Sequence, residues 1–271
     1  MSTITLDELK QRQHATWSSG SYRRVAWLTV PLGDALCEAV DLPAGAAVLD
    51  VATGTGHVAL AAARRFCAVT GIDYVPELLA DARDRAAAEG LEVAFEEADA
   101  EQLPFPDGSF DFVLSAIGVM FTADHQKAAG ELARVCRPGG RIGMVNWTPD
   151  GFIGQLLKIV GRHAPPPPGA SPPTRWGSDD VLRELFAGAV TDLAGETDTV
   201  RLRFPSAEFF ADFLLEHYGP TRKAAERLSS DGRNAFRDDL VSHAREANRA
   251  VDGTVAIDCE YLTAVATRAN D

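Results

Sequence analysis

A chain of 271 residues suits one large domain, or a core domain with a substantial insert, and its 46% hydrophobic and 24% charged residues are ordinary for a globular protein. Its 26 Lys and Arg against 39 Asp and Glu give a formal net charge of −13, which repels polyphosphate at long range and argues against nucleic acid as a partner. No apolar run approaches the roughly 18 residues of a membrane span, the first residues through Glu8 lack the basic start and apolar core of a secretion signal, and the four scattered cysteines, Cys37, Cys67, Cys136 and Cys259, form no metal spacing and suit a reducing cytoplasm.

In chain order, 5–41 reads as mostly helical with a polar break at Ser18 to Ser21, and a turn follows at Leu42 to Gly45. The apolar run 47–52 suits a buried parallel strand, and 56–65 is an alanine-rich helix. Strands are expected at 68–73, 91–97, 110–116 and 141–147. Between them lie a helix over 76–88, with proline in its first turn and Gly90 as its stop, and a helix capped by Asp124 and running to Val135. Repeated strand–helix units of this kind predict an open parallel sheet with helices on both faces, whose ligands sit beyond the carboxyl ends of the strands. Beyond 150 the pattern changes. A helix over 152–160 precedes the proline-rich 164–177, which cannot be regular helix or central strand. Then come a helix over 178–187, strand-like stretches at 189–194 and 199–204, two or three helical pieces over 206–248, and a last strand at 260–268.

"VLDVATGTGHVAL", starting at Val48, carries the glycine pattern Gly54-x-Gly56-x-x-Ala59, which lets backbone approach a ligand at a helix start but does not by itself identify that ligand. Asp50, four residues before Gly54, sharpens the reading: a carboxylate there opposes a pyrophosphate and suits a positively charged ligand such as the sulfonium of S-adenosylmethionine (SAM), although it could equally bond the loop's own amides. Asp73 ends the second strand, where an acid can accept from ribose hydroxyls. Asp99 and Ala100 follow the third strand, where adenine would lie.

The blocks "VLDVATGTG", "GIDYVPELL", "EADAEQLPFPDGSFDFVLSAIGVMF" and "ELARVCRPGGRIGMVNW" resemble, in order and spacing, the class I SAM-dependent methyltransferases, nearest the small-molecule branch of ubiquinone and menaquinone biosynthesis. The resemblance implies an α/β, Rossmann-like seven-stranded sheet with an antiparallel last strand and helices on both faces, in a single domain over 1–271. Within it 1–41 would form an N-terminal helical lid, 42–150 the SAM-binding core, and 151–271 the remaining sheet with a helical substrate cap at about 205–255. It further implies that Ala52, Thr53, Gly54 and Gly56 wrap the methionine part of SAM, Asp73 holds the ribose, Tyr74 lies beside the adenine with Asp99 and Ala100, and Ser115, Ala116 and Ile117 line the opposite wall. Ala52-Thr53 stands where many relatives have Gly-Cys, a change between small residues.

The implied reaction transfers the SAM methyl to a small-molecule acceptor through an oxygen, nitrogen or carbon, which demands alignment, exclusion of water and, for some acceptors, removal of a proton. Candidate catalytic residues are Tyr22, in the lid segment with His14, Trp17 and Arg23, and His125, which either reaches the acceptor pocket or faces solvent from a first helical turn. Candidate acceptor-pocket residues are Trp17, Met120, Phe121, Phe152, Trp176, and Asn146 with Trp147 at the end of the fifth strand; His57 packs or caps, and His217 with Tyr218 belongs to a stripe that is core or the underside of a lid. No metal is expected, and the oligomeric state is left open. Three other readings compete: a protein of this fold that uses SAM in a non-methylating cyclisation or rearrangement, a nicotinamide oxidoreductase, which Asp50 opposes, and a ligand sensor without turnover.

Overall fold

The computed structural model describes residues 5–270. Parts of the single-domain and secretion-signal readings therefore fall on residues 1–4 and 271, outside the described residues. The strands are β1 (Ala47–Val51), β2 (Ala68–Asp73), β3 (Ala94–Glu97), β4 (Phe110–Ala116), β5 (Cys136–Trp147), β6 (Val190–Phe204) and β7 (Val255–Arg268). They form one seven-stranded sheet in the order β3-β2-β1-β4-β5-β7-β6. The first five run parallel; β7 enters antiparallel beside β5, and β6 pairs antiparallel with β7 at the edge. Val48 to Val51 are all buried, as a central parallel strand covered on both faces requires. Strand order reverses between β1 and β4, and the crevice that opens above such a switch point is where ligands of open α/β sheets bind.

Before β1 lie α1 (Leu6–Trp17), α2 (Tyr22–Ala26) and α3 (Val30–Ala39). Thr5 and Glu8 start α1 with a reciprocal capping box. The helix buries no residue fully, so it lies on the fold rather than in it. α3 packs on α4 (His57–Ala63) and on the centre of the sheet, and α5 (Pro76–Glu89) covers β2 and β3. α6 (His125–Val135), capped by the Asp124 side chain, covers β4 and β5. α7 (Phe152–His163) follows β5, and α8 (Asp179–Leu185) precedes β6 after a short 3-10 turn at Pro173–Gly177.

Between β6 and β7 the chain inserts α9 (Ala207–His217), α10 (Gly219–Glu226) and α11 (Ser230–Ala247). α11 packs on α7 and α9, and α10 touches α1, so the insert and the N-terminal helices meet over the crevice. Four strands differ from the sequence expectation: β3 begins at Ala94 rather than 91, β5 begins at Cys136 rather than 141, and β6 and β7 also differ in extent. β6 is one strand through Gly195 and Glu196, because an edge strand pairs on one side only and tolerates such residues. β7 begins at Val255 rather than 260, its early part held against β6 by pairs such as Arg201 with Asp258.

Candidate active site

A cavity of about 410 Å³ lies over the carboxyl ends of β1, β2 and β4. Two turns define its floor, each carrying a non-glycine residue in left-handed backbone: Ala52 after β1 (φ 54°) and Ile117 after β4 (φ 65°). Such conformations cost roughly 1–3 kcal/mol each and persist where surrounding contacts over-determine them. Ser115 supplies one such contact. Buried beneath the floor, its hydroxyl donates to the Val51 carbonyl (2.7 Å) and accepts the Val119 amide (3.1 Å). It stitches β1 to the turn after β4 and does not line the cavity, whereas Ala116 and Ile117 do.

The glycine loop closes one wall. Gly54 (φ 53°) lines the cavity with Ala52 and Thr53, and Tyr22 stands over it. Gly56 (φ 84°) does not line it; a Cβ there would press on Ala82 and Phe95, so this glycine seats α4 against α5 and β3. Asp50 accepts from the Thr53 hydroxyl (2.5 Å) and the Ala59 amide (2.9 Å) while its carboxylate borders the cavity. Burial pushes its carboxyl up to about 7; those two bonds restrain the rise and the Asp73 charge adds to it. Asp73 accepts the Gly54 amide on one oxygen (2.9 Å) and the Val75 amide on the other (3.0 Å), and burial pushes it up to about 6 against these bonds.

Beyond Asp73 the wall continues through Tyr74, Ala98, Asp99 and Ala100. Here the structure adds Lys10. From α1 its ammonium reaches Asp99 (2.6 Å) and the buried Glu101 (2.7 Å). Burial works against the charge of Lys10, but the two carboxylates hold its pKa above the usual value. Asp99 thus divides its oxygens between Lys10 and the Glu101 amide. No signal in α1 marks this lysine in advance, because it faces the cleft only once α1 is laid across it.

Trp17, Tyr22 and Phe121 all border the cavity. Trp17 packs edge-on against Tyr22 (5.3 Å), Phe121 (4.8 Å) and Tyr218 (6.0 Å), and Trp147 borders a side chamber behind them. Tyr218, on a stripe read from sequence as core or lid underside, lines that chamber.

The other sequence candidates lie elsewhere. Asn146 does not face the crevice with Trp147: the two alternate along β5 and point to opposite faces, and Asn146 is fully buried. His125 is neither in the cavity nor in solvent. It is buried edge-on against Trp176 (5.8 Å), and burial, aided by the Arg175 charge, pushes its imidazole down to about 4. Met120 and Trp176 are fully buried off the cavity, and Phe152 stacks on His243 (4.2 Å) at the junction of α7 and α11. His57 borders the cavity but both ring nitrogens are engaged, with the Ala26 carbonyl and with Arg85, and burial lowers its pKa to about 4. No group of three or more His, Cys, Asp or Glu that could hold a metal occurs among the described residues, and no described helix is long and apolar enough to cross a membrane.

A model of the methyltransferase domain matches residues 49–144, the span holding β1 to β5 and the acidic strand ends. An uncharacterized protein of Mycobacterium tuberculosis is 44% identical over 216 residues, 79% of each chain. The demethylmenaquinone methyltransferase of Thermus thermophilus is 51% identical over 123 residues, 44% of this chain and 56% of that one. The solved YcgJ protein of Bacillus superposes over 90% of this chain and 99% of its own with a TM-score of 0.60 at 20% identity, which is a likeness of fold. With its sheet order, antiparallel seventh strand and switch-point crevice, the chain belongs to the class I SAM-dependent methyltransferases.

Proposed function

We propose that the cavity binds SAM and that the protein transfers its methyl group to a small molecule enclosed between the sheet, the N-terminal helices and the insert. The observation that carries this reading is the state of Asp73. Its two oxygens take the Gly54 and Val75 amides, and the Tyr74 amide also favours the ionised form, which fixes the carboxylate where a ribose hydroxyl can reach it. Asp50 then faces the cationic end of the ligand beside Ala52, Thr53 and Gly54, and Tyr74, Asp99 and Ala100 take the adenine end. Gly56 and Ser115 act by holding the loop and floor in place.

SAM supplies an electrophilic methyl on a positively charged sulfur whose charge vanishes on transfer. The chain's own residues align the partners and exclude water. Trp17, Tyr22 and Phe121 stand where the cavity meets the side chamber, and so between cofactor and acceptor. The insert over α9 to α11 acts as the substrate cap. Titration calorimetry of the purified protein with SAM, S-adenosylhomocysteine and NAD tests the reading. Micromolar or tighter binding of the first two supports it, and a preference for NAD overturns it. Appearance of S-adenosylhomocysteine on turnover separates methyl transfer from a cofactor-assisted rearrangement.

A further inference from the structure

Behind Trp17 the crevice continues into the side chamber, whose size and lining bear on the acceptor, on the premise of the methyl-transfer reading above. The chamber shares Trp17, Tyr22, Thr29, Ile117 and Phe121 with the main cavity, so its mouth lies between the N-terminal helices and the turn after β4. From that mouth it runs along Ile153 and Leu156 of α7, Leu202 and Phe204 of β6, and Phe210 and Leu214 of α9. Among the described residues no Asp, Glu, Lys, Arg, His, Asn or Gln lines it. The Thr29 hydroxyl is spent on the Ala26 carbonyl (3.0 Å), and Tyr22 and Tyr218 pack edge-on against the Trp17 indole. A charged group drawn into the chamber would lose hydration without gaining a counter-charge, whereas an alkyl group loses nothing there.

The chamber holds about 50 Å³. A dry apolar cavity of ~150 Å³ takes a benzene ring, so a third of that volume takes roughly two carbons and no ring. Its walls are close-packed. Leu156, Phe210 and Leu214 are all buried, and Phe210 is braced by Phe152 (5.6 Å) and Phe204 (5.2 Å). Walls packed in this way resist an extra methylene, which turns the volume into a limit on length.

We propose that the chamber is a specificity pocket for a short unbranched alkyl substituent of the acceptor, about two carbons long, with the atom to be methylated left in the main cavity at the chamber's mouth. Each methylene enclosed there raises affinity about fourfold. A longer or branched group meets the walls and gains nothing more. Trp17, Tyr22 and Phe121 form the collar through which the substituent passes. The insert thereby has a defined part in substrate choice, because α9 brings Phe210 and Leu214 to the wall that sets the limit.

The test uses the full chain saturated with S-adenosylhomocysteine, its Ile and Leu methyls labelled for NMR, and a series of n-alcohols as probes. Affinity is expected to rise about fourfold from ethanol to 1-propanol, whose ethyl end fills the chamber, and to stay level through 1-butanol and 1-hexanol. Branched 2-methyl-2-propanol should bind more weakly than 1-propanol. The methyl resonances of Ile153, Leu156 and Leu214 should shift with the probe. Leu156→Ala deletes an isopropyl group from the wall, so 1-hexanol should then bind at least about tenfold tighter than 1-propanol. Leu202→Ala does the same from β6 should Leu156→Ala fail to fold. Leu182→Ala, buried on α8 and not part of the chamber, should lower the melting temperature and leave the limit where it is. Affinity that climbs evenly to 1-hexanol in the unmodified protein, a limit that neither Leu156→Ala nor Leu202→Ala moves, or shifts confined to methyls outside the chamber overturns the proposal. S-adenosylhomocysteine bound with no alcohol bound overturns the chamber assignment alone. Failure of S-adenosylhomocysteine to bind overturns the methyl-transfer reading as well.

Discussion

The Asp73 carboxylate accepts the amide of Gly54, 19 positions earlier in the chain, at 2.9 Å. The bond ties the tip of β2 to the loop after β1 and turns a strand-end acid into a fixed part of the cleft wall. Its second oxygen, on the buried Val75 amide, locks the remaining rotation.

Asp73→Ala is therefore expected to have two separable effects. Loss of a charge-assisted bond to a ribose hydroxyl lowers SAM affinity at least about tenfold, at ~1.5–3 kcal/mol per bond. Loss of the partner for two enclosed amides also destabilises the empty protein by about 2 kcal/mol, a fall of several degrees in melting temperature. Calorimetry reads the first and a thermal melt the second. Full SAM affinity in a variant that melts lower would remove the ribose role while leaving the structural one.

The pH dependence of binding follows from Asp50 and Asp73, held up to about 7 and about 6 chiefly by burial. A cationic ligand favours their ionised forms, so SAM affinity should rise with pH through about 6 to 7 and level off above, with protons released to the buffer near the midpoint. In the ligand-free protein the sign reverses for stability. The unfolded chain ionises these acids near ~4, so between about pH 4 and 7 the folded state binds more protons, and their contribution to stability is lost as pH rises through the folded values. Calorimetry in two buffers of different ionisation enthalpy measures the protons released. Affinity that stays flat from about pH 5.5 to 8 would contradict the assignment.

Lys10 closes the end of the cleft beside Asp99. Its ammonium lies between Asp99 and Glu101, and the Glu101 side chain is only 2% exposed. Glu101 also accepts the Ala123 and Asp124 amides, so the contact couples α1 to the turn leading into α6. Lys10→Met keeps most of the side-chain length and removes the charge. SAM should leave about fivefold faster, since losing roughly 1 kcal/mol of the contact that holds α1 over the cleft eases its opening by that factor. Amides of α1 should exchange faster with deuterium, while β1 and β2 amides stay protected. A dissociation rate equal to that of the unmodified protein would reduce Lys10 to a surface pair.

Much of this architecture is legible in the sequence for a local reason. Strands β1, β2 and β4 are apolar runs closed by turn residues, and their ends place Asp50, Asp73 and Ala116 at one edge of the sheet before any packing is known. What could not be read depends on contacts distant in sequence. Asn146 and Trp147 both end β5, but only the packing of α3 on Gly143 reveals which face carries the crevice. His125 follows a capping aspartate and reads as facing either the acceptor pocket or solvent until the 3-10 turn lays Trp176 over it. Tyr218 sits in an apolar stripe that suggests core or lid underside, and α1 decides between them by bringing Trp17 against it. Arg201, Arg249 and Asp258 form a charge cluster across β6, β7 and the chain leading into β7, which hides the start of that strand from an apolar pattern.

Gly118 tests whether the strained floor matters. Its backbone is ordinary right-handed helix, so glycine is not required by conformation. It is required by proximity: a Cβ there would lie 2.4 Å from the Ala52 carbonyl oxygen and 2.6 Å from the Ala52 Cβ. Ala52 cannot yield easily, since it already occupies left-handed backbone between β1 and the glycine loop. Gly118→Ala should thus push the two turns of the switch point apart, costing about 1–3 kcal/mol of stability, with a loss of SAM affinity because the loop bearing Thr53 and Gly54 moves. Gly130→Ala is the matched control. Gly130 lies within α6 with nothing inside 4 Å of an added Cβ, so the same substitution should stabilise by roughly 0.5–1 kcal/mol through the chain's lost freedom. Opposite shifts in melting temperature, with binding lost only at Gly118, are expected. Equal shifts at the two sites would mean the crevice floor yields freely and that the close approach of its two turns has no part in holding the ligand.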